Sequence, residues 1–243
     1  MAVGDPIHAP SAAAQACAWG GAAVFVASLS FFLFSYDVTF AVVATGSSYL
    51  IPIVWNVVLF SIFALHHSLF ARTGLREWIA RAAGSLERSV YVWISSILLI
   101  LVCAFWAPIP GLVWHVTSRP AVILLYALHV SGIVLSVASA AAIDIWVLSG
   151  VRQIYPRTIS RRDDDFKSTG LYGVVRHPIY SGWFLTVFAI PTMTMTQFAF
   201  AVVSSAYVLI AIPFEERSLL ATTKGAYERY RQKVRFRVVP GIY

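Results

Sequence analysis

The chain has 243 residues, of which 59% are hydrophobic and only 12% are charged, and its mean hydropathy is +0.75. A soluble domain carries about twice that share of charged residues, so the composition excludes one and predicts membrane-spanning helices. The net charge of +7 does not indicate nucleic-acid binding, because the basic residues follow the loops between the apolar segments.

Apolar runs alternate with short polar loops, and a run of about 20 residues is long enough to cross the hydrocarbon as a helix. The first four runs cover residues 12–36, 49–71, 89–107 and 121–149. A fifth, residues 178–190, is stopped by Pro191 and is too short to cross comfortably alone. We interpret it and residues 197–214 as a helical hairpin.

The stretch from Glu215 to Val234 has helical periodicity. Its apolar side chains fall close to one face, and basic side chains fall on the other; the apolar set is Leu219, Leu220, Tyr227, Tyr230 and Val234. The sequence therefore predicts an all-α polytopic membrane protein with about six apolar segments and a C-terminal helix. Residues 12–149 form four transmembrane helices in this prediction, and residues 150–243 form the cofactor-binding region.

The basic residues predict the orientation of the chain. Of the 18 Lys and Arg residues, 17 fall in residues 72–88, 152–176 and 217–237. Cytoplasmic loops carry such an excess of positive charge, so these segments and both termini are predicted to be cytoplasmic. The Ala- and Arg-rich composition favours the plasma membrane of a bacterium.

Few residues indicate a metal or a disulfide. Cys17 and Cys103 lie inside apolar runs and offer neither metal-ligand spacing nor a disulfide framework. The acids at 163–165 are adjacent, so their side chains diverge, and they are better explained as a solvated loop. We expect no metal and no nucleic-acid partner, and membrane lipids as surroundings.

The chemistry concentrates in residues 170–182, which lie between a charged loop and the short fifth segment. Pro178 is predicted in the first turn of a helix, where its missing N–H costs nothing. Arg176 and His177 then precede a helix N-terminus, whose free N–H groups favour an anionic group. Gly170 and Gly173 allow tight turns.

Other side chains suit a nucleoside that carries both positive and negative charge. Tyr172 and Tyr180 provide rings that pack against adenine or ribose. Glu215 and Glu216 provide negative charge for an ammonium, a sulfonium or ribose hydroxyls. Each feature alone has a structural explanation, such as an interfacial anchor or a helix-dipole partner. Their combination predicts a site for S-adenosylmethionine.

The stretch Arg176-His177-Pro178-Ile179-Tyr180-Ser181-Gly182, followed by an apolar hairpin and Glu215-Glu216, resembles the isoprenylcysteine carboxyl methyltransferase superfamily. The tail, residues 225–234 with Pro240, resembles the ending of that family. Shorter motifs at residues 67–72, 87–92, 150–153 and 191–194 are similar to the branch of methanethiol S-methyltransferases and nurim-like proteins.

The resemblance implies a membrane-embedded enzyme that uses S-adenosylmethionine. Carried over to this sequence, it implies cofactor contacts at Gln153, Phe166, Lys167, Tyr172, His177, Pro178, Ile179, Tyr180 and Glu215. Arg176 and Glu216 join this set through the arguments from charge given above.

The acceptor depends on the branch. The isoprenylcysteine branch has an Arg one helical turn before the glutamate pair, associated with the lipid substrate, and here that position is Ala211. The resemblance therefore favours a small thiol such as methanethiol. An isoprenylcysteine carboxylate or a phospholipid is the alternative acceptor, and a non-enzymatic nurim-like protein is the alternative of another class.

Four polar residues in the apolar runs are further candidates. A thiol reacts as its thiolate, and a histidine can take the proton, so His66 and His67 near the end of the second run are predicted as the catalytic base. Asp144 and His129 in the fourth run line the substrate cavity or pair structurally, and the sequence leaves both alternatives open.

Overall fold

The computed structural model describes residues 9–72, 80–155, 168–223 and 225–243. Most of these residues are helical, which confirms the all-α prediction. The α-helices are α1 (Ala12–Phe34), α2 (Leu50–Arg72), α3 (Glu87–Phe105), α4 (Arg119–Ile143), α5 (Ile145–Leu148), α6 (Pro178–Phe188), α7 (Met195–Thr222) and α8 (Ala226–Lys233). Two short strands are β1 (Leu112–His115) and β2 (Thr192–Thr194).

Five helical stretches among the described residues are long and apolar enough to span a membrane: Ala12–Thr39, Leu50–Ser68, Ala80–Phe105, Arg119–Ile143 and Met195–Thr222. They contain α1, α2, α3, α4 and α7. Many of their large apolar side chains are exposed, as expected for helices that face lipid. The protein is an integral membrane protein. α6 has only 11 residues, so the short fifth segment does not span the hydrocarbon alone.

Aromatic side chains hold the helices together in one cluster. Phe200 of α7 lies at its centre, 5.4 Å from the ring of Phe32 on α1 and 5.1 Å from that of Trp106 after α3. Tyr36, in the π-helical turn Ser35–Thr39 that continues α1, donates its hydroxyl to the carbonyl of Val187 at 2.5 Å. α6 is thereby fixed to the rest of the bundle.

The loop between α3 and α4 and the loop between α6 and α7 pair with each other, which the sequence did not indicate. β1 and β2 run antiparallel, with Leu112 opposite Thr194 and His115 opposite Thr192. Thr194 also begins α7 with a capping box, in which its hydroxyl accepts from the N–H of Gln197. Strands this short depend on tertiary contacts rather than on propensity, so their pattern is not visible in the sequence.

The fourth apolar run is not one helix, contrary to the prediction for residues 121–149. α4 ends at Ile143, and Asp144 has a φ of 131°. The carboxylate of Asp144 accepts from the N–H groups of Trp146 and Val147, which caps α5, and pairs with the guanidinium of Arg152. The structure therefore gives Asp144 the structural pairing.

The C-terminal helical stretch is also divided. α7 continues through the glutamates to Thr222, and α8 begins after Gly225, which has a φ of 84° that favours glycine. The predicted apolar face persists across this break, because the side chains of Tyr227, Tyr230 and Val234 form one buried cluster against Leu219 and Leu220.

α6 lies close against α4, at a contact made by glycines. A Cβ on Gly182 would come within 2.5 Å of the carbonyl oxygen of Gly132 and 2.3 Å from the hydroxyl of Ser136, and a Cβ on Gly132 would lie 2.6 Å from the N atom of Thr186. Only glycine fits at such a distance between backbones. This contact sets the position of the N-terminal end of α6.

Candidate active site

The backbone before α6 is held by the end of the chain. The N–H groups of Arg176 and His177 donate to the carbonyls of Phe236 and Arg237, at 2.9 and 2.8 Å. The N–H groups of Tyr180 and Ser181 donate to the carbonyl of His177. The free N–H groups expected at this helix start are thus largely used within the protein. The anionic group predicted there has few backbone donors.

Arg176 is buried and points into the protein. Its guanidinium donates to the carbonyls of Val234 and Arg235, at 2.8 and 2.6 Å, and its Nε donates to Glu216 Oε1 at 2.7 Å. A buried cation requires such a set of acceptors. These contacts lock the tail to the motif.

Glu216 accepts hydrogen bonds at both carboxylate oxygens. Oε1 receives Arg176 and the hydroxyl of Tyr227 at 3.1 Å, and lies 3.3 Å from His177 Nε2. Oε2 receives Nε of Arg237 at 3.1 Å. Glu216 is 3% exposed, so its surface is almost entirely covered by other residues of the protein.

Glu215, the next residue, has different surroundings. Its side chain is 35% exposed, and its Oε2 accepts from the hydroxyl of Tyr180 at 2.9 Å. The ring of Tyr180 stacks on that of His177 at 5.4 Å and 14°. A carboxylate beside two stacked rings is suited to the hydroxyls and the flat base of a nucleoside.

Tyr172 connects this arrangement to α4 and α8. Its hydroxyl donates to the carbonyl of Ser139 at 3.3 Å, and its own carbonyl accepts from the hydroxyl of Tyr230 at 2.7 Å. Burial raises the pKa of Tyr172, and the nearby Tyr230 and the charge of Glu215 add to this rise. Burial also raises the pKa of Tyr230 to about 12. Both phenols are therefore neutral hydrogen-bond groups.

Gln153, in the 3₁₀ turn Arg152–Ile154, has one unused polar atom. Its Nε2 donates to the carbonyl of Val147 at 3.0 Å, whereas its buried Oε1 has no hydrogen-bond partner within the described part of the chain. Buried oxygens are normally paired, so Oε1 is available to a donor on a ligand.

Four further residues were predicted as cofactor contacts: Pro178, Ile179, Phe166 and Lys167. Pro178 is buried at the first position of α6, and the carbonyl of Ile179 accepts from the hydroxyl of Ser136 at 3.2 Å. Phe166 and Lys167 lie outside the described residues. The roles of the whole predicted set stay predictions.

His66 and His67 lie near the end of α2 and meet α3. Tyr91 contacts both: its hydroxyl is 2.8 Å from His67 Nδ1, and its ring stacks at 5.7 Å on that of His66. The histidine of α4, His129, instead bonds through Nδ1 to the carbonyl of Thr186 at 2.7 Å and lies 3.5 Å from Asp37. His129 thus has the structural pairing that the sequence left open.

The tail of the chain holds the motif before α6 in a way that the sequence did not indicate. Besides the bonds to Arg176 and His177, the carbonyl of Val238 accepts from the hydroxyl of Ser181 at 2.6 Å. Arg237 contributes the second guanidinium on Glu216. The only available signal was the basic, apolar alternation from Arg235 to Val239, which is equally typical of a membrane-surface anchor. Across the described residues, no group of three or more His, Cys, Asp or Glu could hold a metal ion.

The sequence of this chain is similar to those of known proteins. The model of the isoprenylcysteine carboxyl methyltransferase (ICMT) family matches residues 132–221. Methanethiol S-methyltransferase 2 of Bradyrhizobium diazoefficiens is 38% identical over 191 residues, which are 77% of this chain and 73% of the relative. The methanethiol S-methyltransferase of Crocosphaera subtropica is 38% identical over 74% of this chain and 71% of its own.

A more distant similarity is to Nurim of Bos taurus, 26% identical over 71% of this chain and 70% of the relative. No solved structure matches. The extent and identity of the bacterial matches, with the family model over the segment that contains α6 and Glu215, show that this chain is a membrane methyltransferase and belongs to the isoprenylcysteine carboxyl methyltransferase family.

Proposed function

We propose that this protein transfers the methyl group of S-adenosylmethionine to a small thiol, of which methanethiol is the first candidate. The observation that carries the proposal is the partly exposed carboxylate of Glu215 beside the stacked rings of Tyr180 and His177. S-adenosylmethionine supplies an activated methyl group on a sulfonium.

The donor set fits the chemical groups of this nucleoside. The carboxylate of Glu215 accepts from ribose hydroxyls or from an ammonium group, and Gln153 Oε1 accepts from a further N–H or O–H. Tyr172 and Tyr180 contribute ring faces. Pro178 and Ile179 line the approach at the start of α6, with Phe166 and Lys167 as further contacts.

In this proposal, Arg176 and Glu216 position the residues that bind the donor. Their pair is almost fully buried and ties α7 and the tail to the residues that precede α6. The stacked His177 and Tyr180 are therefore presented at a fixed place. A donor and an acceptor react when they are held about 3–3.5 Å apart in line, so such rigidity contributes directly to the rate.

The relatives named methanethiol S-methyltransferase support the thiol as acceptor. The apolar position of Ala211, which is buried in α7, supports it as well, because no cation stands there to pair with a prenylcysteine carboxylate. We further propose that the site faces the cytoplasm of a bacterium, with both termini inside, because the sequence concentrates its Lys and Arg residues in the segments predicted to be cytoplasmic.

Calorimetric titration of S-adenosylmethionine into the purified protein tests the donor site. We expect saturable binding by the wild type and at least about tenfold weaker binding by Glu215→Ala, since hydrogen bonds to a charged group contribute about 1.5–3 kcal/mol. Glu228→Ala is the matched control, because Glu228 is an exposed partner of Arg231 on α8. A folded wild-type protein that binds no donor would support the non-enzymatic alternative.

Transfer of labelled methyl to methanethiol, to a prenylcysteine and to a phospholipid then tests the acceptor. We expect product with methanethiol. Transfer to the prenylcysteine or the phospholipid alone would refute the thiol assignment and leave the donor site intact.

A further inference from the structure

The two neighbouring histidines of α2 differ in the use of their ring nitrogens. His67 is engaged: Tyr91 lies 2.8 Å from its Nδ1, and the rings of Phe63 and Tyr207 pack against it at 5.6 and 6.4 Å. A histidine whose ring is held by a phenol on one side and aromatic rings on two others has little freedom to meet a substrate.

His66 has the opposite arrangement. Its ring lies 4.3 Å from the ring of Phe70 and 5.7 Å from that of Tyr91, the latter nearly parallel at 20°, and it also interacts with the backbone of Tyr91. Its Nε2 is buried and has no hydrogen-bond partner in the described ranges. Buried polar atoms are normally paired, so this nitrogen is available to a ligand or a proton.

A path of contacts joins the end of α2 that carries His66 to the proposed donor site. Ser68, two residues after His66, hydrogen-bonds the hydroxyl of Tyr207 on α7 at 3.0 Å. Tyr207 and Tyr180 pack against the same buried cluster of Val208, Ile212 and Val238. Tyr207 precedes Glu215 by eight residues, a rise of about 12 Å along α7. The histidines thus lie deeper along the helices than Glu215.

Trp183 gives a second indication of a ligand in this region. It lies one turn after Tyr180 on α6, packs against the same cluster, and carries a buried ring N–H with no partner among the residues described. Two buried polar atoms without a partner among the described residues, Nε2 of His66 and the ring N–H of Trp183, thus occur on α2 and α6.

We propose that the acceptor thiol binds between His66 and Trp183 and that His66, not His67, is the catalytic base. Tyr91 is the positioning residue, because its ring fixes His66 while its hydroxyl holds His67. This inference rests on the proposed function. It identifies the binding site of the acceptor and the atom that receives the proton, which is Nε2 of His66.

The proton and electron balance is simple. The S–H bond of the thiol breaks and its proton moves to Nε2 of the neutral imidazole. A sulfur lone pair forms the new bond to the methyl carbon, while the bond from that carbon to the donor sulfonium breaks and its electron pair stays on the donor sulfur. The products are a neutral thioether and the demethylated donor, and His66 returns its proton to water.

The test compares two acceptors that differ in acidity. A selenol is more acidic than the matching thiol, so it reaches the site already ionised and needs no base. In His66→Gln we expect turnover of methanethiol to fall about 10²-fold or more, the typical contribution of a general base. Turnover of methaneselenol is expected to stay within about tenfold of the wild type, and the affinity for S-adenosylmethionine is expected to be unchanged.

Two further variants make the assignment specific. His67→Gln is expected to slow both acceptors by the same small factor, because it disturbs packing and the hydrogen bond to Tyr91 but leaves the base in place. His115→Gln on β1, at the opposite end of the helices, is the matched control. Tyr91→Leu is expected to slow methanethiol more than methaneselenol, a difference that a general loss of folding would not produce.

Three results would overturn the inference. Wild-type turnover by His66→Gln excludes His66 as the base. An equal loss for thiol and selenol assigns His66 a structural role. A wild-type protein that binds the donor and methylates neither acceptor refutes the proposed thiol acceptor, and the inference falls with it.

Discussion

Glu215 and Glu216 are adjacent in the chain and have opposite environments. The side chain of Glu215 is 35% exposed and bonds Tyr180, whereas that of Glu216 is 4% exposed and bonds two arginines. One carboxylate is open to a ligand, and the other holds the protein together. A motif that looks uniform in the sequence therefore divides into a partly exposed carboxylate and a buried, stabilising one.

Glu216→Ala is expected to lower the free energy of unfolding by about 3–5 kcal/mol, because it leaves the buried guanidinium of Arg176 without its carboxylate. Reversible unfolding in detergent micelles measures this change. Glu215→Ala is the comparison and is expected to cost less than about 1 kcal/mol, the value of one hydrogen bond at a partly exposed group. Equal losses in the two variants would contradict the division of roles.

Tyr180→Phe is expected to weaken donor binding about tenfold while leaving stability nearly unchanged. The substitution keeps the ring stacked on His177 and removes only the hydroxyl that orients Glu215 Oε2 at 2.9 Å. Calorimetric titration of S-adenosylmethionine measures the effect.

Tyr227→Phe is the matched control for that experiment, since it removes the same group from Glu216 Oε1. It is expected to reduce stability by about 1 kcal/mol with donor affinity retained. If Tyr227→Phe weakens the donor as much as Tyr180→Phe does, the two glutamates are not separate in function.

Periodicity and motif were enough to predict much of this protein. Runs of about 20 apolar residues indicate the long helices, since no other structure satisfies its backbone in lipid. Pro178 marks the start of α6 because proline is best tolerated in the first turn of a helix. The apolar face of Leu219, Tyr227 and Tyr230 was also predictable, because its spacing is helical.

What could not be predicted depends on contacts between distant residues. The bonds from Arg176 to Val234 and from Ser181 to Val238 join residues more than fifty positions apart. The break at Asp144 was hidden because neither glycine nor proline marks it. Gly182 belongs to the predicted cofactor motif. In the structure, its lack of a side chain allows α4 to approach α6 closely.

Gly182→Ala is expected to destabilise the protein by about 1–3 kcal/mol and to reduce methyl transfer. The new Cβ would fall 2.5 Å from the carbonyl oxygen of Gly132, and backbone cannot give way as a flexible side chain does. α6 must then shift, and the rings of His177 and Tyr180 shift with it. Thermal unfolding and a methyl-transfer assay on the same sample measure both effects.

Ser136→Ala controls for the interface itself. It removes the hydroxyl that donates to the carbonyl of Ile179 without adding volume, so only about 1 kcal/mol is expected to be lost. If Gly182→Ala is no worse than this control, the helices are not held at the distance that the structure gives.

Alkaline pH is expected to loosen the tail through Tyr230. Its hydroxyl donates to the carbonyl of Tyr172 at 2.7 Å, and burial raises its pKa from 10.0 to about 12. The folded state therefore holds this proton more tightly than the unfolded chain does. The stabilisation is complete below pH 10 and is lost as the pH rises from 10 to 12.

Melting temperature measured across that range tests the linkage, with Tyr230→Phe as the comparison. The variant lacks the titrating proton, so it is expected to start less stable at neutral pH and to lose less between pH 10 and 12. Because the hydroxyl of Tyr230 holds the backbone carbonyl of Tyr172, a predicted donor contact, donor affinity in the wild type is expected to fall over the same interval. Parallel curves for the two proteins would mean that another group, and not Tyr230, governs the alkaline transition.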